Sequence, residues 1–402
     1  MSGDLILDLS RLISRADRTT PTGIDRVELA YARRLLDVAG PRLRFAALNP
    51  IGRIAALPRA AAVRYVEKLE RVWAGEAAGP GPDLATQGRA LLLYALRDGE
   101  AALASGRRSR PPTYINVSHH HLDRPASIRR LLKATGGRFV SLVHDLIPIE
   151  LPEYNRPEQA AKHVLRMRTV AELSDVVIVN SDGTGEALVP HLKAAGRAPP
   201  LISAPLGVHL APADARKLRR DAGRPDFVCI STIEPRKNHL LLFNIWRRLA
   251  ALGGETPTLH LVGHRGWHNE AALDVIDRSV SVRPHLVEHK ALSDADMGEL
   301  LAGARALLMP SFAEGYGLPV AEALAAGVPV LCSDLPTLRG VGGGAPEYLD
   351  PLDGLGWLKA VQDYSRADHP RRQAQLARIS AWTPPSWDAH FARVEPHLLE
   401  GG

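Results

Sequence analysis

Short apolar runs alternate with longer amphipathic segments along most of this 402-residue chain. A run of four to eight apolar residues bounded by turn residues is typical of a buried strand, and a longer run with 3.6-residue periodicity is typical of a helix. The apolar runs in the first half are LILDLS (5–10), RFAALN (44–49), TYINVS (113–118), RFVSLVHD (138–145) and VVIVNS (176–181). Helices are expected from about residue 24, at about 158–173, and in a segment that ends near Gly196. This alternation predicts a parallel sheet with right-handed crossovers.

The same alternation resumes at Phe227 after a polar stretch, so two domains are expected. We predict a first Rossmann-like domain over residues 1–205 and a second one over 206–385. The linker lies near 203–218, where strand-like APLGV gives way to polar residues. Gly- and Pro-rich segments at 75–90 and 105–112 predict loops. A last helix, capped by Ser386 and with Pro396 near its end, is expected within 386–402.

The most informative segment is residues 306–327, where a strand, a turn and a helix start follow in order. Glu314 lies in the turn, and Glu322 lies eight residues later, about one turn inside the helix. Pro319 suits the first turn of a helix. The free N–H groups of that turn favour an anion such as pyrophosphate, while carboxylates favour sugar hydroxyls. Two glutamates at this spacing also occur by chance as solvated acids of a helix face.

A second strand, turn and helix start at residues 227–239 delivers two cations. Arg236 and Lys237 follow the strand FVCIS, at the end where open α/β sheets bind ligands. Both side chains pair well with phosphate oxygens. Two further strand-to-helix units lie at 259–267 and 285–304, and Ser293 or Asp294 is expected to cap the helix of the second one.

The segments EPRKNH, LVGHRGW and EGYGLPVAEALAAGVPV resemble the donor-binding half of a large family of retaining glycosyltransferases (glycosyltransferase family 4, group 1). That family includes bacterial mannosyl- and rhamnosyltransferases of polysaccharide assembly. The likeness covers nearly the whole chain and is strongest over 227–340. It implies a GT-B fold, with two doubly wound Rossmann-like domains facing an interdomain cleft and the C-terminal helix packed back on the first domain. It also implies that the first domain (1–205) binds the acceptor and that the second (206–385) binds the nucleotide sugar.

The resemblance also assigns site residues. The family's E-x7-E motif puts Glu314 on the donor sugar and Glu322 on the ribose, and Lys237 matches its phosphate-binding lysine. Thr232 stands where many members have an arginine, so Arg236 is the expected substitute. The segment TGIDRV places Gly23 in a loop that faces the cleft in the family. The other predicted donor-binding residues are Gly263, Lys290, Gly315, Tyr316, Gly317 and Leu318.

Histidines are the remaining candidates. His144 ends an apolar strand, and the resemblance implies a catalytic histidine there near the donor sugar; the alternative is a hydrogen-bonded structural histidine. Asp145 could orient the loop or a substrate hydroxyl. Consecutive side chains of an extended chain point to alternate faces, so His119, His120 and His121 are not expected to share a metal. The predicted acceptor-binding residues are His119, His120, Asp145 and Tyr154.

Composition and charge indicate the cellular compartment and the kinds of partner to expect. Two cysteines, Cys229 and Cys332, in apolar runs favour a reducing cytoplasm, and neither a spanning segment nor a signal peptide is expected. Residues 1–200 contain 29 Lys and Arg against 21 Asp and Glu, and residues 201–402 contain 21 against 23. The basic excess at RRSR (107–110) and RPASIRRLLK (124–133) is either a solvated face or an attraction to an anionic membrane or a lipid-pyrophosphate acceptor. Nucleic acid is not expected.

The predicted function is hexose transfer from a nucleotide sugar to a glycan or polyprenyl-linked glycan acceptor, with GDP-mannose as the donor that the resemblance favours. No cofactor or metal is expected, because no Asp-x-Asp ligand pair is identified, so Arg236, Lys237 and the helix start at 315–318 are expected to carry the phosphate charge. Two alternatives remain. An NAD-dependent oxidoreductase lacks support because no GxGxxG follows an early strand. A non-catalytic sugar-nucleotide-binding protein would keep the same fold.

Overall fold

The computed structural model describes residues 3–18, 20–76, 81, 83–98, 101–104, 110–208 and 225–399. It divides the chain into two compact units. Unit 1 comprises 1–149, 161–207 and 386–402, and unit 2 comprises 150–160 and 208–385. Most of RRSR and the polar part of the predicted linker lie outside the described residues.

Unit 1 is built on a seven-stranded sheet with the order β3-β2-β1-β4-β5-β6-β7. Its strands are β1 (Leu5–Asp8), β2 (Leu43–Leu48), β3 (Ile54–Leu57), β4 (Thr113–Asn116), β5 (Arg138–Val143), β6 (Val176–Val179) and β7 (Leu201–Ser203). All neighbours are parallel except β2 and β3. Strands β1 and β4 are buried throughout, as expected for a parallel sheet covered on both faces.

Helices connect these strands. They are α1 (Ser10–Ile13), α2 (Gly23–Ala39), α3 (Arg59–Trp73), α4 (Leu84–Asp98), α5 (Ala101–Ala104), α6 (Pro125–Thr135), α7 (Ile147–Glu150), α8 (Pro157–Leu173) and α9 (Asp182–Ala194). Helix α2 starts with a capping box, in which Thr22 and Asp25 satisfy each other's backbone N–H groups.

Unit 2 is built on a six-stranded parallel sheet with the order β10-β9-β8-β11-β12-β13. Its strands are β8 (Asp226–Ile230), β9 (Thr258–Val262), β10 (Leu286–His289), β11 (Ala306–Met309), β12 (Val330–Ser333) and β13 (Glu347–Leu349). Its helices are α10 (His239–Leu252), α11 (Glu270–Arg278), α12 (Asp294–Gly303), α13 (Leu318–Ala325), α14 (Pro336–Gly342), α15 (Gly354–Ser365) and α16 (Pro370–Ser380). Phe227, Trp246, Trp357 and Tyr364 are fully buried in its core.

The last helix, α17 (Trp387–Leu399), returns to unit 1. Ser386 caps it, since its Oγ accepts a hydrogen bond from the Ala389 N–H at 3.1 Å, as predicted. His390 lies 2.8 Å from the Tyr31 hydroxyl of α2, and its ring also contacts the carbonyl of Ala204. These contacts make α17 part of the first core.

Two local predictions were wrong, and one strand was not predicted. Residues 84–90 belong to α4 and not to a loop, since the helix buries Leu91 and Ala95, and Gly88 lies close to Ile13. The strand after α9 is β7, and APLGV (204–208) carries no strand. Strand β3, absent from the prediction, pairs antiparallel at the edge of the sheet.

The segment 150–160 also departs from the predicted division, which placed it in the first domain. It groups with unit 2, because Tyr154 and Arg156 contact aromatic residues of that unit. None of the helices in the described part of the chain is long and apolar enough to cross a membrane.

Candidate functional site

The candidate site of unit 2 lies where the strand order reverses. From β8 the chain proceeds to β9 on one side, whereas β11 lies on the other side and continues to β12. The loops after β8 and β11 therefore leave the carboxyl edge in opposite directions, and the crevice between such loops is where open α/β sheets bind ligands. The first loop carries Arg236 and Lys237, and the second carries Glu314.

Four charged side chains meet there, and we call Glu234, Arg236, Lys237 and Glu314 the ionic cluster. Lys237 Nζ lies 2.5 Å from Glu314 Oε1, and Arg236 Nη1 lies 3.2 Å from Glu314 Oε2. Arg236 Nε lies 2.7 Å from Glu234 Oε1. Arg236 Nη1 also donates to the Ala313 carbonyl at 2.6 Å. Each cation is thus fixed by a carboxylate, and the cluster contains two positive and two negative groups.

Burial sets the electrostatics of this cluster. The Glu314 side chain is only 7% exposed. Burial alone would raise its pKa, but Lys237 and Arg236 outweigh that effect and lower the pKa of the carboxyl to about 2. Burial also lowers the pKa of Lys237, which Glu314 and Glu234 partly offset. Glu314 is therefore ionised at any physiological pH and can only accept hydrogen bonds.

Helix α13 begins directly after the loop of Glu314. Gly317 precedes it with φ +102°, a conformation that strains other residues, and a Cβ there would lie 2.5 Å from Leu338 Cδ2. Pro319 lies in the first turn, as predicted. Glu322 lies inside the helix and is buried, as is Tyr316 just before it. The N–H groups of this first turn are the part of the helix that favours an anion.

Unit 1 has its own point of strand reversal, between β1 and β4. Asp8, at the end of β1, accepts a hydrogen bond from the Tyr114 hydroxyl at 2.9 Å, and His121 Nε2 lies 3.4 Å from the same carboxylate oxygen. The histidine run does not form the extended chain that we expected. It forms a turn in which His121 has φ +46°, and the His121 side chain is buried.

His144 directly follows β5, at the strand end where it was predicted, and it is buried. Its Nε2 lies 2.8 Å from the Val117 carbonyl, and its backbone N–H donates to His119 Nε2 at 3.1 Å. The ring of His119 lies edge-to-face on the rings of His144 and His163. Burial lowers the pKa of His144 to about 4, so the ring is neutral at physiological pH. This is the arrangement of a structural histidine, and the catalytic role of His144 stays a prediction.

Gly23 and Asp145 lie at the same carboxyl edge of the first sheet. Gly23 is the first residue of α2, next to an ion pair of 2.6 Å between Arg11 and Asp25. Asp145 follows His144, and its carboxylate accepts the backbone N–H of Ile147 at 3.2 Å. Its backbone carbonyl lies 3.0 Å from His163 Nε2. Asp145 therefore orders its own loop, as one reading of the sequence predicts.

A protein-family model described as "Glycosyl transferases group 1" matches residues 211–343, which include the ionic cluster and α13. Residues 211–343 of this chain form a glycosyl transferases group 1 domain. The predicted resemblance to group 1 glycosyltransferases is thereby confirmed, and membership of family 4 and retention of configuration stay predictions.

Two curated proteins that this chain resembles are named as glycosyl-transferring enzymes, in agreement with this domain. The chain is similar to the serotype-specific mannosyltransferase WbdA of Escherichia coli, at 26% identity over 261 residues, or 60% of this chain and 32% of that protein. It is also similar to the O-antigen chain mannosyltransferase B of E. coli, at 37% identity over 125 residues, or 31% and 32% of the two chains. The chain therefore spans about a third of the length of these curated relatives.

The whole fold matches solved structures. The structure of Anabaena HepE in complex with UDP superposes with a TM-score of 0.63 over 98% of this chain and 99% of that one, at 14% identity. At that identity the likeness shows the fold alone. The predicted GT-B class, with two Rossmann-like α/β domains, is confirmed.

Not every residue predicted to bind the donor joins the ionic cluster of the group 1 domain. Thr232 lies in the same loop, where its carbonyl accepts the Glu234 N–H at 3.0 Å. Gly263 has φ +148°, and a Cβ at this position would lie 2.1 Å from the Ser231 carbonyl oxygen. The backbone therefore requires glycine here. Lys290 follows β10, the edge strand two strands from β8, and its side chain is 75% exposed. The structure does not bring Lys290 to the cluster.

Tyr154 was predicted on the acceptor side, but it belongs to unit 2 with the group 1 domain. Its ring lies parallel to Phe312, with centroids 5.7 Å apart and an interplanar angle of 3°. His120, which was also predicted to bind the acceptor, belongs to unit 1, and burial lowers its pKa to about 4.

The sequence analysis missed a polar pair, Ser231 and His239, whose members lie on either side of Lys237 along the chain. Ser231, at the end of β8, has its Oγ 3.2 Å from His239 Nε2, and His239 is buried at the start of α10. Burial and the nearby Lys237 lower the pKa of His239 to about 3, so this ring is neutral. The spacing Ser231, Lys237, His239 around one strand end was the signal that could have found it.

The expectation that the chain has no Asp-x-Asp pair was wrong, because Asp294 and Asp296 form one. It lies in the first turn of α12, where Ser293 Oγ accepts the Asp296 N–H at 3.1 Å and the Ser293 hydroxyl donates to the Asp296 carboxylate at 2.7 Å. These contacts are those of a helix cap. Among the described residues, no group of three or more His, Cys, Asp or Glu side chains could hold a metal ion. Metal independence stays a prediction.

Proposed function

We propose that this chain is a retaining glycosyltransferase that moves a hexose from a nucleotide sugar to a glycan or lipid-linked glycan acceptor. The observation that carries the proposal is the ionic cluster at the strand reversal of the group 1 domain. Two cations and an ionised carboxylate converge there beside the first turn of a helix. Cations and helix N–H groups suit a diphosphate, and an ionised carboxylate suits sugar hydroxyls.

The roles follow from these chemistries. Lys237, Arg236 and the first turn of α13 stabilise the charge that develops on the leaving diphosphate. Glu314 accepts hydrogen bonds from hydroxyls of the donor sugar, and Glu322, buried one turn into α13, accepts them from the ribose. The cluster needs no metal in this scheme, because its own cations face the phosphates. No cofactor is required beyond the nucleotide sugar.

The proposed step is a front-face substitution with retention of configuration. The bond from the anomeric carbon to the acceptor oxygen forms as the bond to the phosphate oxygen breaks, and the acceptor proton passes to the leaving phosphate. The carboxylate closest to the proposed sugar position, Glu314, is held by Lys237 and Arg236. This pairing fits an orienting hydrogen-bond acceptor better than a nucleophile.

We propose GDP-mannose as the donor and cell-surface polysaccharide assembly as the setting. Support comes from the two E. coli relatives, both of which are named mannosyltransferases. The exposed basic residues of α6, Arg130 and Lys133, support a peripheral place at the inner face of the plasma membrane.

A panel of nucleotide sugars tests the proposal. Thermal protection and donor hydrolysis should be measured side by side with GDP-mannose, dTDP-rhamnose and UDP-hexoses, and we expect the strongest response with GDP-mannose. A clear preference for a UDP-sugar would replace the donor and keep the reaction class. Protection without any turnover in the presence of mannose-terminated acceptors would favour a non-catalytic binding protein, and no protection by any of them would contradict the function.

A further inference from the structure

Residues 150–160 belong to unit 2, although the chain before and after them belongs to unit 1. The chain enters unit 2 at residue 150, the last residue of α7, and returns to unit 1 at residue 161, after the first four residues of α8. Its centre is a short 3-10 helix, Pro152–Tyr154. We call residues 150–160 the strap.

The strap is held by contacts to two loops of unit 2. Tyr154 stacks parallel on Phe312, which lies in the loop after β11. Trp267 Nε1, in the loop after β9, donates to the Tyr154 carbonyl at 3.0 Å. The Arg156 guanidinium lies 5.6 Å from the centroid of the Trp267 ring, within the range of a cation–π contact. Tyr154 therefore joins both loops.

Both of these loops border the ionic cluster. Phe312 is two residues before Glu314, and its N–H donates to the Arg236 carbonyl at 2.8 Å. The loop of Trp267 is bound to the loop after β8, since the Gly266 N–H donates to the Ile233 carbonyl at 3.0 Å. A Cβ at Gly266 would lie 2.8 Å from that same oxygen, so the two loops pack backbone to backbone.

We infer that Tyr154 is a positioning residue, whose ring holds the Phe312–Glu314 loop so that the Glu314 carboxylate keeps its place against Lys237 and the donor sugar. This inference rests on the proposed function for its catalytic consequence. It differs from the sequence prediction, in which Tyr154 contacts the acceptor. A positioning residue acts through its ring, whereas an acceptor contact would act through its hydroxyl.

Two substitutions separate these roles. Tyr154→Phe keeps the stacked ring and removes the hydroxyl, and Tyr154→Ala removes the stack. With the preferred donor, we expect Tyr154→Ala to lower kcat by roughly ten- to a hundredfold, because a small displacement of a reacting group can cost that much. The KM for the donor should stay within about threefold, and Tyr154→Phe should behave like the wild type. Trp267→Phe, which removes the N–H donor and replaces the indole by a smaller ring, should also lower kcat, but by less.

A second readout does not depend on activity. Amide hydrogen exchange of residues 311–317 in the full chain should be faster in Tyr154→Ala than in Tyr154→Phe or the wild type, while exchange in β8 and β11 stays unchanged. Unchanged exchange at 311–317 in Tyr154→Ala would overturn the inference. So would a kcat within twofold of wild type, or an equal loss in Tyr154→Phe, which would favour the acceptor role. If the wild type responds to no nucleotide sugar, the proposed function fails, and the exchange comparison alone then decides whether the strap holds the loop.

Discussion

Glu314→Gln is the substitution for which the structure gives the clearest magnitude. It keeps the shape of the side chain and removes the charge that faces Lys237 at 2.5 Å and Arg236 at 3.2 Å. The pKa of Glu314 falls from 4.5 to about 2 on folding. One pKa unit corresponds to about 1.4 kcal/mol, so the ionised carboxylate contributes about 3 kcal/mol to the stability of unit 2 at pH 7. Lys237 stays buried in the variant and loses this carboxylate partner, so we expect a loss of about 3 kcal/mol.

The sign of the pH dependence follows from the direction of the shift. A carboxyl whose pKa is lower in the folded state stabilises that state fully above its unfolded pKa of 4.5, and this contribution is lost as the pH falls from 4.5 towards 2. The difference between wild type and Glu314→Gln should therefore be full at pH 7 and should shrink to about 1 kcal/mol at pH 3.

Urea unfolding followed by tryptophan fluorescence measures this difference, because Trp246 and Trp357 are fully buried in unit 2. Glu255→Gln, at an exposed position in the loop before β9, is the matched control and should change stability by less than about 0.5 kcal/mol. Equal stability of Glu314→Gln and wild type at pH 7 would refute the reasoning. A difference that is the same at pH 7 and pH 3 would also refute it, since the loss would then not arise from the charge.

The remaining predictions concern binding. Lys237→Ala should weaken nucleoside diphosphate binding by about 1–3 kcal/mol in calorimetry, because it leaves buried polar partners unpaired; Lys359→Ala, an exposed lysine of α15, should bind like wild type, and equal affinities of the two variants would remove Lys237 from the phosphate site. Turnover should survive EDTA, and loss on chelation that magnesium or manganese restores would show that the phosphate site needs a metal. The protein should bind anionic vesicles more than neutral ones, with the difference fading as salt rises; equal binding at low salt, or binding that maps to residues 201–402, would indicate that the basic residues are only solvated.

The sequence predicted the fold and the centre of the site because both depend on local patterns. Buried parallel strands are short, continuous apolar runs, and each polar loop after such a run must lie at the same carboxyl edge. Arg236 and Glu314 are 78 residues apart, yet each follows a strand of this type, and the strand order places them side by side. The role of each residue is a separate matter, and those roles stay predictions.

The features that were missed depend on contacts that no local pattern encodes. The turn of His119–His121 requires a positive φ at His121, which histidine adopts here beside Asp8 and Tyr114. The strap belongs to unit 2 because of the stacking of Tyr154 on a residue 158 positions later. Lys290 resembles Lys237 as a cation after a strand, and only the strand order separates an edge strand from a central one.

The charge balance of the ionic cluster adds a constraint on how a donor would bind. Arg236 and Lys237 are already paired with Glu234 and Glu314, so an arriving diphosphate does not meet two unpaired cations. It would have to share them with the carboxylates, and its negative charge would draw the cations away from Glu314. The Glu314 oxygens would then have more lone pairs available for the hydroxyls of the sugar. Recognition of phosphate and of sugar would thus be coupled through the same two side chains, since the pairs that keep Glu314 ionised are the pairs that the diphosphate weakens. A nucleoside diphosphate without its sugar would weaken the ion pairs of Glu314 in the same way, but no sugar hydroxyls would then donate hydrogen bonds to that carboxylate.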